Sequence, residues 1–295
     1  MPSVPSVPRL RTLRAVRLQR ALRRAGSSLP LVVETADGSY VAKLRGAAQG
    51  LAALVAEIIV AELAERLGLR VPVRVLLRLD PGFVCDDRDA ELADLLRASR
   101  GLNLGLRYLP GARELRPVDA ARLDAETATR ILWLDRLVMN VDRTARNPNL
   151  LHWEGDTWLI DHGAALPFQH DWTRVSEDSP RRPGPVGAEH LLHARAAGLA
   201  LRDPALARRL GREVLQAAVE QVPDEFFLPL LSAGAAGDAL ARRRAAYVAF
   251  LWKRLKSPRP FLSVGDWEGR RTDSASGRST RHPGSTTHAR HSGRS

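Results

Sequence analysis

Three side chains at fixed spacing could do chemistry: Asp142, Asn147 five residues on, and Asp161 nineteen residues past the first. Two carboxylates and an amide supply hard oxygen donors and a proton acceptor, the set that magnesium-dependent transfer of a terminal phosphoryl group needs. Such a transfer asks a protein mainly for positioning and charge neutralisation. The pair Asp142 and Asn147 lies in Asn140-Val141-Asp142-Arg143-Thr144-Ala145-Arg146-Asn147, and the following Pro148-Asn149 cannot continue a helix, so both side chains can turn into a cleft. Asp161 follows the apolar Thr157-Trp158-Leu159-Ile160 and precedes His162-Gly163. A carboxylate at a strand end with glycine close behind can meet metal and phosphates without being buried unpaired. A lone aspartate in a turn is usually a cap; the three together carry the reading.

A phosphate-side cation is also expected. Of 45 basic residues only Lys43, Lys253 and Lys256 are lysines, so a chain that nearly always chooses arginine keeps one lysine in its first 252 residues. A compact ammonium and a guanidinium fork are not interchangeable at a crowded phosphate site, which makes Lys43 a candidate before any motif is named.

The elements that must hold these residues can be read from pattern. Leu29 to Thr35 and Ser39 to Leu44 read as strands around the turn Ala36-Asp37-Gly38, with Lys43 near the end of the second. Leu51, Leu54, Val55, Ile58, Ile59 and Leu63 recur at helical spacing between Gly50 and Leu67, with Glu57 in mid-helix and Gly68 as the stop. Strands are expected at Val71 to Leu79 and Leu102 to Leu109. Beyond Ala112 the pattern turns helical, at Asp119 to Asn140, Ala188 to Ala197, Pro204 to Gln221 and Asp238 to Leu255, with Ser176 to Val186 a loop. A strand-rich first third and a helical remainder predict an α+β fold of two unequal lobes with a cleft. The expected division is a basic N-terminal extension (1–24), a nucleotide-binding lobe (25–111), a catalytic and metal-binding lobe (112–262) and a basic tail (263–295).

Composition narrows the class. The net charge of +12 is concentrated at the ends: residues 1–24 hold seven arginines and no acid, and residues 265–295 hold six arginines, three histidines and three acids among Ser, Thr and Gly. Such a tail is expected to stay disordered, with weak contact to nucleic acid or an anionic surface as the functional alternative. The lone Cys85 excludes an internal disulfide framework, and no run of some eighteen apolar residues is present, so a cytoplasmic protein is expected. No HExxH or Cys/His spacing points to zinc, and neither GxGxxG nor GxxxxGKS occurs.

With Asp142-Arg143-x-x-x-Asn147 and Ile160-Asp161-His162-Gly163, the chain resembles the HipA-like branch of the protein-kinase-like superfamily from about Gly26 to Phe261, and both motifs are similar to signatures of phosphatidylinositol kinases. The resemblance implies a bilobal kinase fold that binds ATP and Mg. It implies that Asp142 positions the acceptor hydroxyl, that Asn147 and Asp161 hold magnesium, and that Lys43, paired with Glu57 (or alternatively Glu62), touches the nucleotide phosphates. Gly26-Ser27-Ser28 resembles the small-residue loop over the phosphates, making Ser27 and Ser28 cofactor candidates. The connector falls near Leu106 to Leu109, with Arg107 and Leu109 as the residues to meet adenine. His162 is expected to be a local hydrogen-bonding residue of the metal turn. The acceptor favoured is a protein hydroxyl, with a lipid or small molecule as the alternative within enzymes and a silent regulator outside them. The chain is shorter than the HipA toxins, and neither toxin activity nor an antitoxin partner is implied.

Overall fold

The computed structural model describes residues 9–21, 31–47, 49–83, 89–231 and 237–262. Six strands form one sheet: β1 (Thr12–Arg14), β2 (Arg17–Ala21), β3 (Leu31–Thr35), β4 (Gly38–Lys43), β5 (Arg74–Leu79) and β6 (Gly101–Arg107). Their spatial order is β1-β5-β6-β4-β3-β2, with β1 parallel to β5 and every other pairing antiparallel. The β3–β4 hairpin turns at Ala36-Asp37 with Thr35 opposite Gly38, whose φ of 108° suits glycine. Register then sets Lys43, the last residue of β4, opposite Leu104 of β6.

Helix α1 (Gly50–Arg66) follows β4. Its sequence reads as a one-sided stripe, yet every residue from Leu51 to Ala64 is buried. Alanines on the remaining faces let neighbours approach from all sides. The same core joins Ile58, Ile59 and Leu63 of α1 to Leu104 and Leu106 of the sheet and to helical residues such as Ile131 and Leu215. The short helix α2 (Ala90–Ala98), absent from the sequence reading, is capped by Asp89, whose Oδ1 accepts from the amides of Glu91 and Leu92.

Past β6 come β7 (Arg113–Glu114), α3 (Pro117–Ala120), α4 (Ala125–Val138), β8 (Leu150–Trp153) and β9 (Asp156–Leu159), the three strands forming a second sheet in the order β7-β8-β9. Helices α5 (Leu199–Arg209), α6 (Arg212–Glu220), α7 (Asp224–Phe227) and α8 (Ala239–Leu255) complete the described chain. Of these, α4, α6 and α7 pack on α1. The expected helix at Asp119 to Asn140 is two helices, because Asp124 caps α4 by accepting from the Thr127 amide. The expected helix at Pro204 to Gln221 is split at Leu210-Gly211. At Ala188 to Ala197 there is no α-helix: His190 and Leu191 hydrogen-bond to α4 and the Asp142 loop instead, and a 3₁₀ turn occupies His193–Gly198. No helix among the described residues is long and apolar enough to cross a membrane.

The loop at Ser176 to Val186 is fastened to α8. Arg254, fully buried, donates to the carbonyls of Pro180, Arg182 and Pro183 and to those of Arg136 and Leu137 at the end of α4. Burial lowers its pKa to about 10, so it stays charged at neutral pH.

Of the expected extension at residues 1–24, residues 9–21 are described. Within it, β1 and β2 flank the sheet, turning Leu13, Ala15 and Leu18 toward a core that includes Val33, Tyr40 and Leu77. Three of its arginines point outward onto acids: Arg11 onto Asp37, Arg14 onto Asp80, Arg17 onto Glu34. Deleting residues 1–21 should therefore cost about 3 kcal/mol from lost apolar burial alone, or roughly 10 °C in the melting midpoint. Thermal unfolding followed by circular dichroism checks this, and an unchanged midpoint would mean that the segment adds nothing to the sheet.

Candidate active site

The first half contributes a cation held by two acids. Lys43 Nζ lies 3.0 Å from Glu57 Oε1 and donates to Asp161 Oδ1 at 2.6 Å, joining residues 118 apart in sequence. Burial opposes the charge on Lys43, but the carboxylates of Glu57 and Asp161 outweigh it and raise the lysine pKa above its ordinary value. The same burial pushes the Glu57 carboxyl up, and nearby Asp161 adds to that, while Lys43 and the His162 backbone N–H pull it down. Glu62 lies elsewhere, against Arg66 and Arg74.

Asp161 sits in a left-handed turn, φ 59°, just after β9. The turn is pressed against the start of α1: a Cβ on Gly163 would come within 2.9 Å of Gln49 Oε1 and 3.2 Å of Ala53 Cβ. Between them His162 is 1% exposed, with no hydrogen-bond partner at either ring nitrogen among the described residues. Burial, reinforced by Arg143, pushes its pKa down to about 3, so the ring is neutral near pH 7. The expected hydrogen-bonding role falls to its backbone N–H, which donates to Glu57.

The Asp142 loop is built from the inside outward. Helix α4 ends at Met139 in a left-handed conformation, and the Asn140 amide returns to the Asp135 carbonyl. The Asp135 carboxylate, 0% exposed, accepts from Arg143 Nε at 2.6 Å, Asn140 Nδ2 at 3.0 Å and His190 Nε2 at 2.9 Å. His190 Nδ1 accepts from the Leu192 amide, which leaves Nε2 as the donor. Burial drives the Asp135 pKa upward, but the Arg143 charge and the His190 hydrogen bond overcome it and hold the carboxyl far below the usual range. Arg143 in turn donates to the carbonyls of Pro148 and Asn149, closing the loop around itself. On the outer side Asp142 Oδ2 accepts from Asn147 Nδ2 at 2.8 Å and from Asn149 Nδ2 at 3.1 Å. The Asn149 carbonyl accepts from the Ile160 amide, which sets this loop beside the Asp161 turn.

A family model described as HipA-like kinase matches residues 18–178, more than half of the chain and the stretch holding Lys43, Glu57, Asp142 and Asp161. The chain belongs to the HipA-like kinase family. It is thus a phosphotransferase, and a kinase takes ATP as its phosphoryl donor. Among solved structures, the crystal structure of a Helicobacter pylori proinflammatory kinase, CtkA, matches with a TM-score of 0.52 at 9% identity, covering 87% of this chain and 97% of that one. At that identity the match shows the fold alone: an N-terminal sheet and a helical C-terminal region, as in a kinase. No curated protein matches the chain.

Arg107 and Leu109, also expected in this kinase's site, lie at the end of β6 and just past it. Ser27 and Ser28 fall outside the described residues. Arg107 is turned to the hairpin tip, where Nη1 donates to the Asp37 carbonyl at 2.5 Å and the guanidinium lies 5.0 Å over the Tyr40 ring. Its amide donates to Val73 and that of Tyr108 to Ser39, so sheet pairing uses both N–H groups. Arg107 thus ends β6 with its side chain held at the hairpin tip. Leu109, buried, is the second residue past β6. A hollow of about 890 Å³ between Arg70, Arg113, Arg116 and His152 contains none of the residues named for catalysis, and three of its arginines pair with Asp156 and Asp119.

Sequence reasoning missed Asn149 and His190. Asn149 stood in plain view in Asn147-Pro148-Asn149, but offset from Asp142 favoured the first asparagine. His190 carries no local signal, since its role depends on Asp135, 55 residues earlier. Replacing Asp135 by Asn should leave Arg143 buried without a counter-charge, a loss of about 3–5 kcal/mol. Because the folded pKa of Asp135 is depressed, its contribution is present above the unfolded value near 3.8 and lost as pH falls below it. The gap between wild type and Asp135→Asn should accordingly be full at pH 7 and narrow below about pH 4, read from melting curves across that range. A gap independent of pH would refute the assignment.

Proposed function

We propose that the protein is an ATP- and Mg-dependent kinase that transfers the γ-phosphoryl group to a hydroxyl on a protein. The observation that carries this is the Lys43 ammonium bound at once to Glu57 and Asp161, which unites the end of β4, α1 and the acid after β9. The nucleotide lies between residues 25–111 and 112–262, with Lys43 oriented to its phosphates and the backbone at Leu109 toward adenine. Asp142 takes the proton as the acceptor oxygen bonds to the γ-phosphorus and the bond to the β–γ bridging oxygen breaks, releasing ADP.

The donor set suits magnesium. Among the described residues no three His, Cys, Asp or Glu side chains converge on a point, and magnesium is ordinarily held by one or two carboxylates plus substrate phosphates. Asp161 and an amide of the Asp142 loop, Asn147 by the sequence spacing, would hold it. When bound, the ion supplies charge neutralisation at the β- and γ-phosphates.

Labelled ATP with magnesium, incubated with wild type and with Asp142→Asn and Asp161→Ala, tests the reading. Both variants should lose at least about 100-fold in transfer, while deletion of residues 265–295 should leave it intact. Protein and lipid extracts offered side by side separate the acceptor classes, and labelling of lipid alone would overturn the protein acceptor. Wild type that neither binds nor turns over ATP with magnesium or manganese would end the kinase mechanism altogether.

A further inference from the structure

We propose that Arg74 is a positioning residue of the phosphoryl-transfer site: gripping Glu62 and Glu65, it sets where α1 lies along the sheet and so keeps Glu57 on Lys43. The consequence for transfer rests on the role proposed above for Lys43, at the nucleotide phosphates. Glu62, which the sequence offers as an alternative partner for Lys43, is turned instead to β5. Its Oε2 lies 3.2 Å from Arg74 Nη2, and the same nitrogen lies 2.6 Å from Glu65 Oε2. Arg66 Nε is 3.3 Å from Glu62 Oε1. Arg74 and Glu62 are both buried.

Sheet register places the two cations as a pair. Lys43, Leu104 and Leu76 stand in one row across β4, β6 and β5, and Val41, Leu106 and Arg74 stand in the row two residues along. Residues two apart on a strand share a face, so Lys43 and Arg74 project from the face that packs Leu76, Leu104 and Leu106 against α1. Two strand spacings across and two residues along set them roughly 12 Å apart. On α1, Glu62 and Glu65 follow Glu57 by about 8 and 12 Å along the axis. The spacings match, and the helix is pinned to the sheet at two points, in mid-length by β4 and near its end by β5.

Apolar packing fixes that position poorly. Burial of apolar surface is non-directional, and Ala52, Ala53, Ala56, Ala61 and Ala64 give α1 small, similar contacts on several faces. The grip at Arg74 is directional, yet it is not built for stability. Both contacts use Nη2, while the buried Nε and Nη1 have no hydrogen-bond partner among the described residues. A buried ion pair satisfied so incompletely adds little over apolar residues of the same volume. Without Arg74, Glu62 keeps Arg66, which rides on α1 itself, and the charged tie from α1 to β5 is gone.

The test uses the full chain as wild type, Arg74→Met/Glu62→Leu, Arg74→Lys and a control, Arg78→Met, whose arginine is exposed on the same strand. Because the chain has only three lysines, lysine-selective ¹³C labelling gives a Lys43 signal that Lys43→Arg assigns. In wild type the two protons on Lys43 Cε should be resolved from each other, as in a fixed side chain. The double variant should keep its melting midpoint within about 5 °C, since both charges leave together. Its Lys43 protons should merge into one averaged signal, and label transfer from saturating ATP into a protein extract should slow about 10- to 100-fold. Arg74→Lys should keep the split signal and most of the rate, because a single nitrogen makes both contacts. Arg78→Met should match wild type.

A split Lys43 signal and an undiminished rate in the double variant would overturn the proposal. Should that variant not fold, Arg74→Met alone, in which Glu62 keeps Arg66 as counter-charge, decides in its place, and a wild-type Lys43 signal there refutes the positioning role. A merged signal with full transfer would show that Lys43 does not serve the phosphates, and would overturn the role on which the proposal rests. Wild type that transfers no label under any condition would end the transfer mechanism, and the Lys43 signal alone would then decide whether Arg74 holds Glu57 in place.

Discussion

Burying an ammonium is unfavourable unless acids come with it, and in this fold the acids that accompany Lys43 belong to different elements. Glu57 is on α1 and Asp161 is on the turn after β9, while Lys43 ends β4. None of the three can leave water alone. The strand, the helix and the turn must therefore meet at one place. The all-round burial of α1 follows from this demand, because a helix inserted between a sheet and three other helices can show no face to solvent. Its alanines make that packing possible, and Glu57 has Lys43, the His162 amide and nearby Asp161 as its polar company among the described residues.

A second buried charge holds the other half of the site. Asp135 neutralises Arg143, anchors Asn140 and receives His190, so two stretches of chain far apart in sequence converge on a single carboxylate. Arg143 then organises the loop from within by donating to its carbonyls. The consequence is a loop with little regular structure that is nonetheless fixed, with Asp142 on its outer surface. Arg254 does comparable work with carbonyls alone, tying the segment after the Asp161 turn to the end of α4.

Much of this was legible in the sequence, and for physical reasons. Hairpin chemistry at Asp37-Gly38, helical periodicity from Leu51 to Leu63 and the break at Asn147-Pro148-Asn149 are local signals, and the elements formed near where they point. Lys43 could be singled out because its rarity in an arginine-rich chain is itself a chemical statement. What escaped depended on partners distant in sequence. The arginine density of residues 9–20 conceals Leu13, Ala15 and Leu18, which become core only once β5 and β3 are beside them. The residues from Ala188 to Ala197 have helical composition, but hydrogen bonds to Asp135 and Arg143 take precedence. Arg107 sits in the right stretch for a nucleotide contact, and only the register with β4 reveals that it faces Asp37.

The two halves of the site are also not independent. Glu57 binds Lys43 through its side chain and accepts from the backbone of His162, the residue next to Asp161. Gly163 lies so close to Gln49 and Ala53 that a Cβ there would have to displace the Gln49 side chain and press on Ala53. Any displacement of α1 would thus loosen the lysine pair and the acid turn together. A packed interface of this kind tends to hold one discrete arrangement rather than deform gradually. The site should accordingly assemble as a unit, with the position of one helix deciding whether Lys43 and Asp161 are both in place.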